Sequence, residues 1–188
     1  MELTEAIKGR RSVRRFKPDP VPRELIERIL ELAQWAPSGL NLQDWLFVVV
    51  KGEKRDELQR IFASAFREFR PVLEKVFEGR PKILEGMRQF FETYGWAPIL
   101  ILAYAGKLPN GQDDTHSTAV AVQNLLLAAH EAGLGATWTD GVLIKEAEIN
   151  AAIGVEGRKL VCVIPLGWPD ETPKAPPRRS DRVKWIGF

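Results

Sequence analysis

The stretch DDTHSTAVAVQNLLLAAHEAGLG, Asp113–Gly135, decides the fold. Asp114 and Thr115 are candidate caps at its start, and Gly133 and Gly135 mark its end. Its polar residues fall in pairs seven apart, His116 and Ser117, Gln123 and Asn124, His130 and Glu131, and the residues between are almost all apolar. On a helix this leaves one narrow polar stripe, so most of the circumference must be covered. Such a helix is central, in a large core, across a subunit interface, or in both.

Elements on either side supply the rest of that core. PVPRELIERILELAQWAPSG carries Leu25, Ile26, Ile29, Leu30 and Ala33 at helical spacing, with Pro22 suited to the first turn and Pro37 as a stop. A short helix is expected over Leu3 to Lys8, two more near Lys54 to Phe69 and Pro81 to Tyr94, and another from Lys145 to Ile153. RPVLEKVFEGRP, between the middle two, reads as a mobile lid. WLFVVV from Trp45, APILILAYA from Ala97 and KLVCVIPLGW from Lys159 are apolar runs of buried-strand type, and ATWTDG is a short strand. Strands and helices mix without a strict βαβ rhythm, which points to α+β. Pro173, Pro176 and Pro177 exclude a helix from the tail, yet its end carries Val183, Trp185, Ile186 and Phe188, so it is expected to pack on something.

The chain has 188 residues, enough for one domain over 1–188. Its 27 basic and 25 acidic residues exclude a polyelectrolyte, so any nucleic-acid or acidic-membrane role requires a local patch. One cysteine, Cys162, sits in an apolar run and cannot form an internal disulfide, which fits a reduced, cytoplasmic setting. No signal-like or membrane-spanning segment is present, so a soluble, unprocessed protein is expected.

Several chemistries lack their residues. Two histidines and one cysteine are too few for a Cys/His zinc site, and no metal is expected. G-x-S-x-G and G-x-x-x-x-G-K-[ST] are both absent. GLGATW has Trp138 where a dinucleotide fingerprint has its third glycine, and it follows a helix, so its glycines read as a helix stop. If the chain is an enzyme, its chemistry belongs to a bound cofactor.

GRRSVRRF, Gly9 to Phe16, then places Arg10, Arg11, Arg14 and Arg15 around Ser12. Guanidinium groups and backbone amides at a helix exit suit a phosphate, and a solvated basic turn is the plain alternative. PPRRSDRVK brings Arg178, Arg179 and Arg182 at the other end of the chain. The two clusters could meet on one phosphate or form a nucleic-acid patch. Trp35, Trp45 and Trp96 lie in apolar segments and are not interleaved with the basic residues, which disfavours the patch.

RRSVRRF, WAPSGLNLQDW, AVQNLLLAAHEAGLGATW and PLGWPDETPKAPPRR, in that order, resemble the FMN-dependent nitroreductase family across nearly the whole chain. The resemblance implies a three-layer α+β fold, with a central, mainly antiparallel sheet flanked by helices and a domain-swapped C-terminal tail. It implies a homodimer with FMN at the interface, Arg10 and Ser12 at the phosphate, Arg11 nearby, and Arg14 at the N1 and C2-carbonyl edge of the flavin. There Arg14 is the electrostatic catalytic residue, because reduction leaves negative charge at that edge.

Pro37, Ser38, Gly39 and Asn41 would come from the partner subunit. Asp44 stands where the family more often has proline, and Gly39 where it more often has serine. Thr139, Asp140 and Gly141 match the segment over the opposite flavin face, with a backbone amide toward N5, and Arg178 or Arg179 closes on the phosphate. The implied activity is ping-pong reduction of a nitroaromatic or quinone-type planar acceptor with NAD(P)H as donor. Dehalogenation, flavin fragmentation and biosynthetic dehydrogenation are the alternatives within the fold, and a non-catalytic nucleic-acid binder is the alternative outside it. Phe66, Phe69, Phe90 and Phe91 are either slot or core.

Overall fold

The apolar runs form strands β1 (Trp45–Val50), β2 (Ile99–Ala105) and β4 (Lys159–Gly167), joined by a two-residue β3 (Gly135–Ala136), in a computed structural model describing residues 1–188. The sheet order is β1-β2-β4-β3 and every ladder is antiparallel. β2 is buried along its whole length, as an interior strand covered on both faces must be.

Alternation along β2 divides the core in two. Ile99, Ile101 and Ala103 meet α2 (Arg23–Ala33) and α5 (Thr115–Glu131) on one face. Leu100, Leu102 and Tyr104 meet α3 (Gly52–Val76), α4 (Pro81–Thr93) and α6 (Glu146–Ile153) on the other. On β4, Cys162, Ile164 and Leu166 belong to the first core and Leu160 and Val163 to the second. A register shift between Ala103 and Tyr104 skips Val161, and that extra residue moves Leu160 to the other face. The result is a three-layer α+β fold.

The deciding helix packs into the core against the sheet and α2, with Val120 on its outer face 42% exposed. Asp114 caps α5 by accepting the Ser117 N–H at 3.2 Å, and Ala121, Val122, Leu125 and Ala129 are fully buried. α3 extends past the expected end near Phe69, through Pro71 to Val76. Proline removes one rung of the ladder, but Leu73, buried beyond it, and Phe77, packed on the same core, hold the last turns in place. Most of the segment read as a lid is therefore helix. α2 ends at Ala33, before Pro37, and of ATWTDG only Ala136 is in β3, with Thr139 adding an isolated bridge to Val163.

The tail has no regular structure, and Val183, Trp185, Ile186 and Phe188 are exposed. Within one chain the expected packing of that end is not found. No helix is long and apolar enough to cross a membrane.

Candidate cofactor site

α1 (Leu3–Gly9) is short and closes with the Arg10 N–H on Ala6 O at 3.0 Å. From there the chain runs extended across β3 and the strap that follows β4. Ser12 bridges Ala136 in parallel, Val13 N–H donates to Ala136 O at 3.1 Å, and Lys17 N–H donates to Trp168 O at 2.9 Å. Gly135 permits this close crossing, since a Cβ there would lie 2.7 Å from Val13.

Arg10, Arg11, Ser12 and Arg14 line one side of a cavity of about 410 Å³, and Lys174 and Arg178 of the tail line the other, with Pro173 and Pro176. No carboxylate lines it. Burial, and then the charges of Arg11 and Arg178, lower the pKa of Arg10, so these cations repel one another across a space with no counter-charge. A bound anion relieves that repulsion. Arg11 turns Nη1 back on Lys8 O at 2.6 Å and Arg10 O at 2.7 Å, satisfying carbonyls at the exit of α1. Arg179 does not line the cavity and has Asp181 beside it at 3.9 Å.

Arg14 also lines a second cavity of about 590 Å³, whose walls include Phe69, Phe77, Met87, Phe90 and Trp138. Its floor is Thr139, Asp140 and Gly141. The Thr139 hydroxyl donates to Val163 O at 2.5 Å and receives Tyr94 OH at 3.1 Å, so it is committed to the fold. By contrast, the N–H groups of Asp140 and Gly141 have no acceptor within the chain and remain available to a ligand. Gly141 lies so near Phe91 that a Cβ would come within 2.7 Å of the ring. Phe69, Phe90 and Phe91 line this slot, whereas Phe66 is a core residue with its ring 5.6 Å from that of Phe91.

Pro37, Ser38, Gly39 and Asn41 line neither cavity of their own chain. They form a tight loop in which Ser38 Oγ accepts Gln43 N–H at 3.0 Å and Gly39 N–H donates to Ser117 Oγ at 3.1 Å. Leu40, Asn41 and Gln43 are all left-handed, with φ of 53°, 54° and 50°, and Leu40 is 80% exposed. Asp44 serves the fold. It accepts Arg158 Nη2 at 2.7 Å and Lys107 N–H at 3.1 Å, and these bonds hold its carboxyl pKa below the usual value.

Sequence reading had passed over Lys174, Met87, Phe77 and Glu171. Lys174 carried a signal, a lone cation in a proline-rich stretch beside Arg178. Buried Arg55 had none: it donates to Ala97 O and Thr93 O, each at 3.0 Å, and so fixes the end of α4.

The profile of the Nitroreductase family matches residues 7–168. The chain belongs to the nitroreductase family. Among its relatives, nitroreductase NfnB of Mycolicibacterium smegmatis is 31% identical, over 88% of this chain and 82% of that one. Iodotyrosine deiodinase of Thermotoga neapolitana is 30% identical, over 99% and 98% of the two chains. The crystal structure of FMN-dependent NfnB from Mycobacterium smegmatis in complex with NADPH superposes with a TM-score of 0.77 at 26% identity, covering 97% of each chain. The relatives therefore span more than one flavin reaction.

A polar, cationic cavity that meets an apolar slot at one arginine fits a ligand with a phosphate at one end and a flat ring at the other. FMN has that form, and the residues present fit it.

Proposed function

We propose that this chain is an FMN-dependent oxidoreductase that uses NAD(P)H to reduce a planar, uncharged acceptor of the nitroaromatic or quinone class. The observation that carries this reading is Arg14, which lines the cationic cradle and the apolar slot at once. FMN, when bound, supplies the two-electron chemistry that no side chain here possesses.

Arg10, Ser12, Lys174 and Arg178 would hold the phosphate, with Arg11 adding charge nearby. Arg14 presents a permanent cation where negative charge develops on reduction, and a fixed charge needs no reorganisation at that moment. The free amides of Asp140 and Gly141 offer donors to the ring edge. Phe69, Phe77 and Phe90 give a stacking wall for donor and acceptor in turn. Apart from Arg14 and Asp140 the slot has no charged lining, so a charge placed on an acceptor away from those two residues would lose hydration without a partner. Pro37, Ser38, Gly39 and Asn41 would complete the site of a second copy, which accounts for a strained, exposed loop that lines neither the cradle nor the slot of its own chain. Residues 1–188 act as one unit in this reading, because the cradle draws on both ends.

The test is FMN titration of the purified chain, followed by anaerobic reduction with NADH or NADPH and reoxidation by a nitroaromatic, a quinone or 3-iodotyrosine. Reoxidation by the first two is expected. Failure to take up FMN removes the reading, and turnover of 3-iodotyrosine alone replaces it with dehalogenation.

A further inference from the structure

We propose that Glu171 is a positioning residue that sets the aim of Arg14; the inference rests on Arg14 acting at the flavin. The Arg14 guanidinium has no hydrogen bond or ion pair within the chain, so its direction is inherited from its own backbone. That backbone is fixed on two sides. The Arg14 N–H donates to Glu171 Oε1 at 2.6 Å. Its carbonyl lies against Gly95, where a Cβ would come within 2.0 Å of the oxygen. Two residues on, the Phe16 N–H donates to Gly95 O at 2.9 Å.

A carboxylate next to an anion site weakens that site unless it is otherwise engaged. Glu171 is not part of the cationic cradle, although its chain neighbours Pro173 and Lys174 are. Its side chain is 23% exposed, with one oxygen on the Arg14 amide and the other 3.6 Å from Arg15 Nε. Glu171 also stands where the chain leaves the paired strap, Phe16 opposite Pro169 and Asp170 N–H on Arg15 O at 2.9 Å, and crosses toward Arg178. One carboxylate thus ties the Arg14 peptide to the start of the tail.

Two conservative variants separate reach from charge. Glu171→Gln keeps an oxygen in reach of the Arg14 amide without the charge, and Glu171→Asp keeps the charge but withdraws it by one methylene. The reduction potential of bound FMN is measured for both, for Arg14→Ala, and for Glu171→Asp with Arg14→Ala, with FMN affinity alongside. Glu171→Asp is expected to weaken the preference for reduced over oxidised FMN about tenfold, a fall of about 30 mV for a two-electron couple. Glu171→Gln should remain near the unaltered protein. The double variant should match Arg14→Ala, since a residue acting through Arg14 has nothing to act on once it is gone. A shift in Glu171→Gln, none in Glu171→Asp, or full additivity in the double variant overturns the proposal and leaves Arg14 in its role. An unchanged potential in Arg14→Ala overturns both.

Discussion

Arg10 and Arg178 reach one cavity from opposite ends of the chain, and the charge of Arg178 is among the causes that lower the pKa of Arg10. Two cations held together without a counter-charge are costly unless a ligand supplies it. Arg10→Ala or Arg178→Ala is therefore expected to raise the FMN dissociation constant by roughly 10- to 100-fold, the equivalent of one charge-assisted hydrogen bond at about 1.5–3 kcal/mol. Each variant should also flatten the weakening of binding by salt. Quenching of flavin fluorescence at low and high ionic strength measures both, and an unchanged affinity would remove the residue from the phosphate site.

Much of this arrangement was legible in the sequence because it rests on local pattern. The seven-residue polar pairs of α5 announced a covered helix, and the apolar runs around Val48, Ile101 and Val163 announced buried strands. Arg10, Arg14 and Arg178 were legible as members of charge clusters, with Ser12 between the first two, and the family resemblance implies the phosphate and flavin roles proposed for them. What escaped depends on contacts across the chain. No spacing reports that Glu171 reaches the Arg14 amide, or that Arg55 folds onto the carbonyls of Thr93 and Ala97. The helix expected near Lys54 to Phe69 runs on through Pro71 to Val76, because Leu73 is buried beyond the proline.

His130 lies against Gly9, so that a Cβ on the glycine would come within 2.8 Å of Nε2, and it shares a cavity with Arg10 and Arg11. Burial first, then the charges of Arg10 and Arg11, lower its pKa from the ordinary 6.5. The unfolded chain therefore binds the proton more tightly than the folded one. Stability from this site is full above pH 6.5 and is lost as the pH falls from there through the lower, folded value. Urea denaturation of the ligand-free chain between pH 7.5 and 5 should show that loss, and His130→Asn should flatten it. Inorganic phosphate, by offsetting Arg10 and Arg11, should also reduce the slope. A profile unchanged in His130→Asn assigns the acid sensitivity to another group.

Gly95 and Gly79 are both left-handed, with φ of 63° and 71°, but only Gly95 is crowded. Gly79→Ala meets nothing within 4 Å and should cost about 1–2 kcal/mol from conformation alone. For a chain of this length each kcal/mol lowers Tm by about 2–4 °C. Gly95→Ala adds a collision with the Arg14 carbonyl, which is backbone and cannot swing aside. Its loss of Tm should be at least about twice that of Gly79→Ala, with weaker FMN binding as Arg14 is displaced. Equal losses measured by calorimetry would mean that the 94–96 turn moves freely and does not constrain Arg14.

The last residues of the tail expose Val183, Trp185, Ile186 and Phe188 at 66%, 70%, 76% and 100%, with Trp185 meeting Phe188 edge-on at 5.2 Å. β1 meanwhile is a sheet edge, and beside it lies a groove of about 450 Å³ lined by Ile26, Leu30, Val49 and Ile99 together with the charged Arg23, Glu27 and Lys51. A free apolar end and an open sheet edge within the same chain fit an exchange of tails between two copies. Removing residues 182–188 takes no hydrogen bond from the core, so the truncated chain should fold. Each of Trp185, Ile186 and Phe188 would forfeit about 1.5–3 kcal/mol of burial in the assembled form. Even after the entropy of ordering a tail is subtracted, self-association should weaken by at least about 100-fold, and FMN binding should fall with it, because Pro37 to Asn41 would no longer be delivered to a second copy's site. Sedimentation velocity across a concentration series, with and without FMN, measures the effect. A truncated chain that associates and binds FMN as the full chain does would show that the loop reaches its site without the tail.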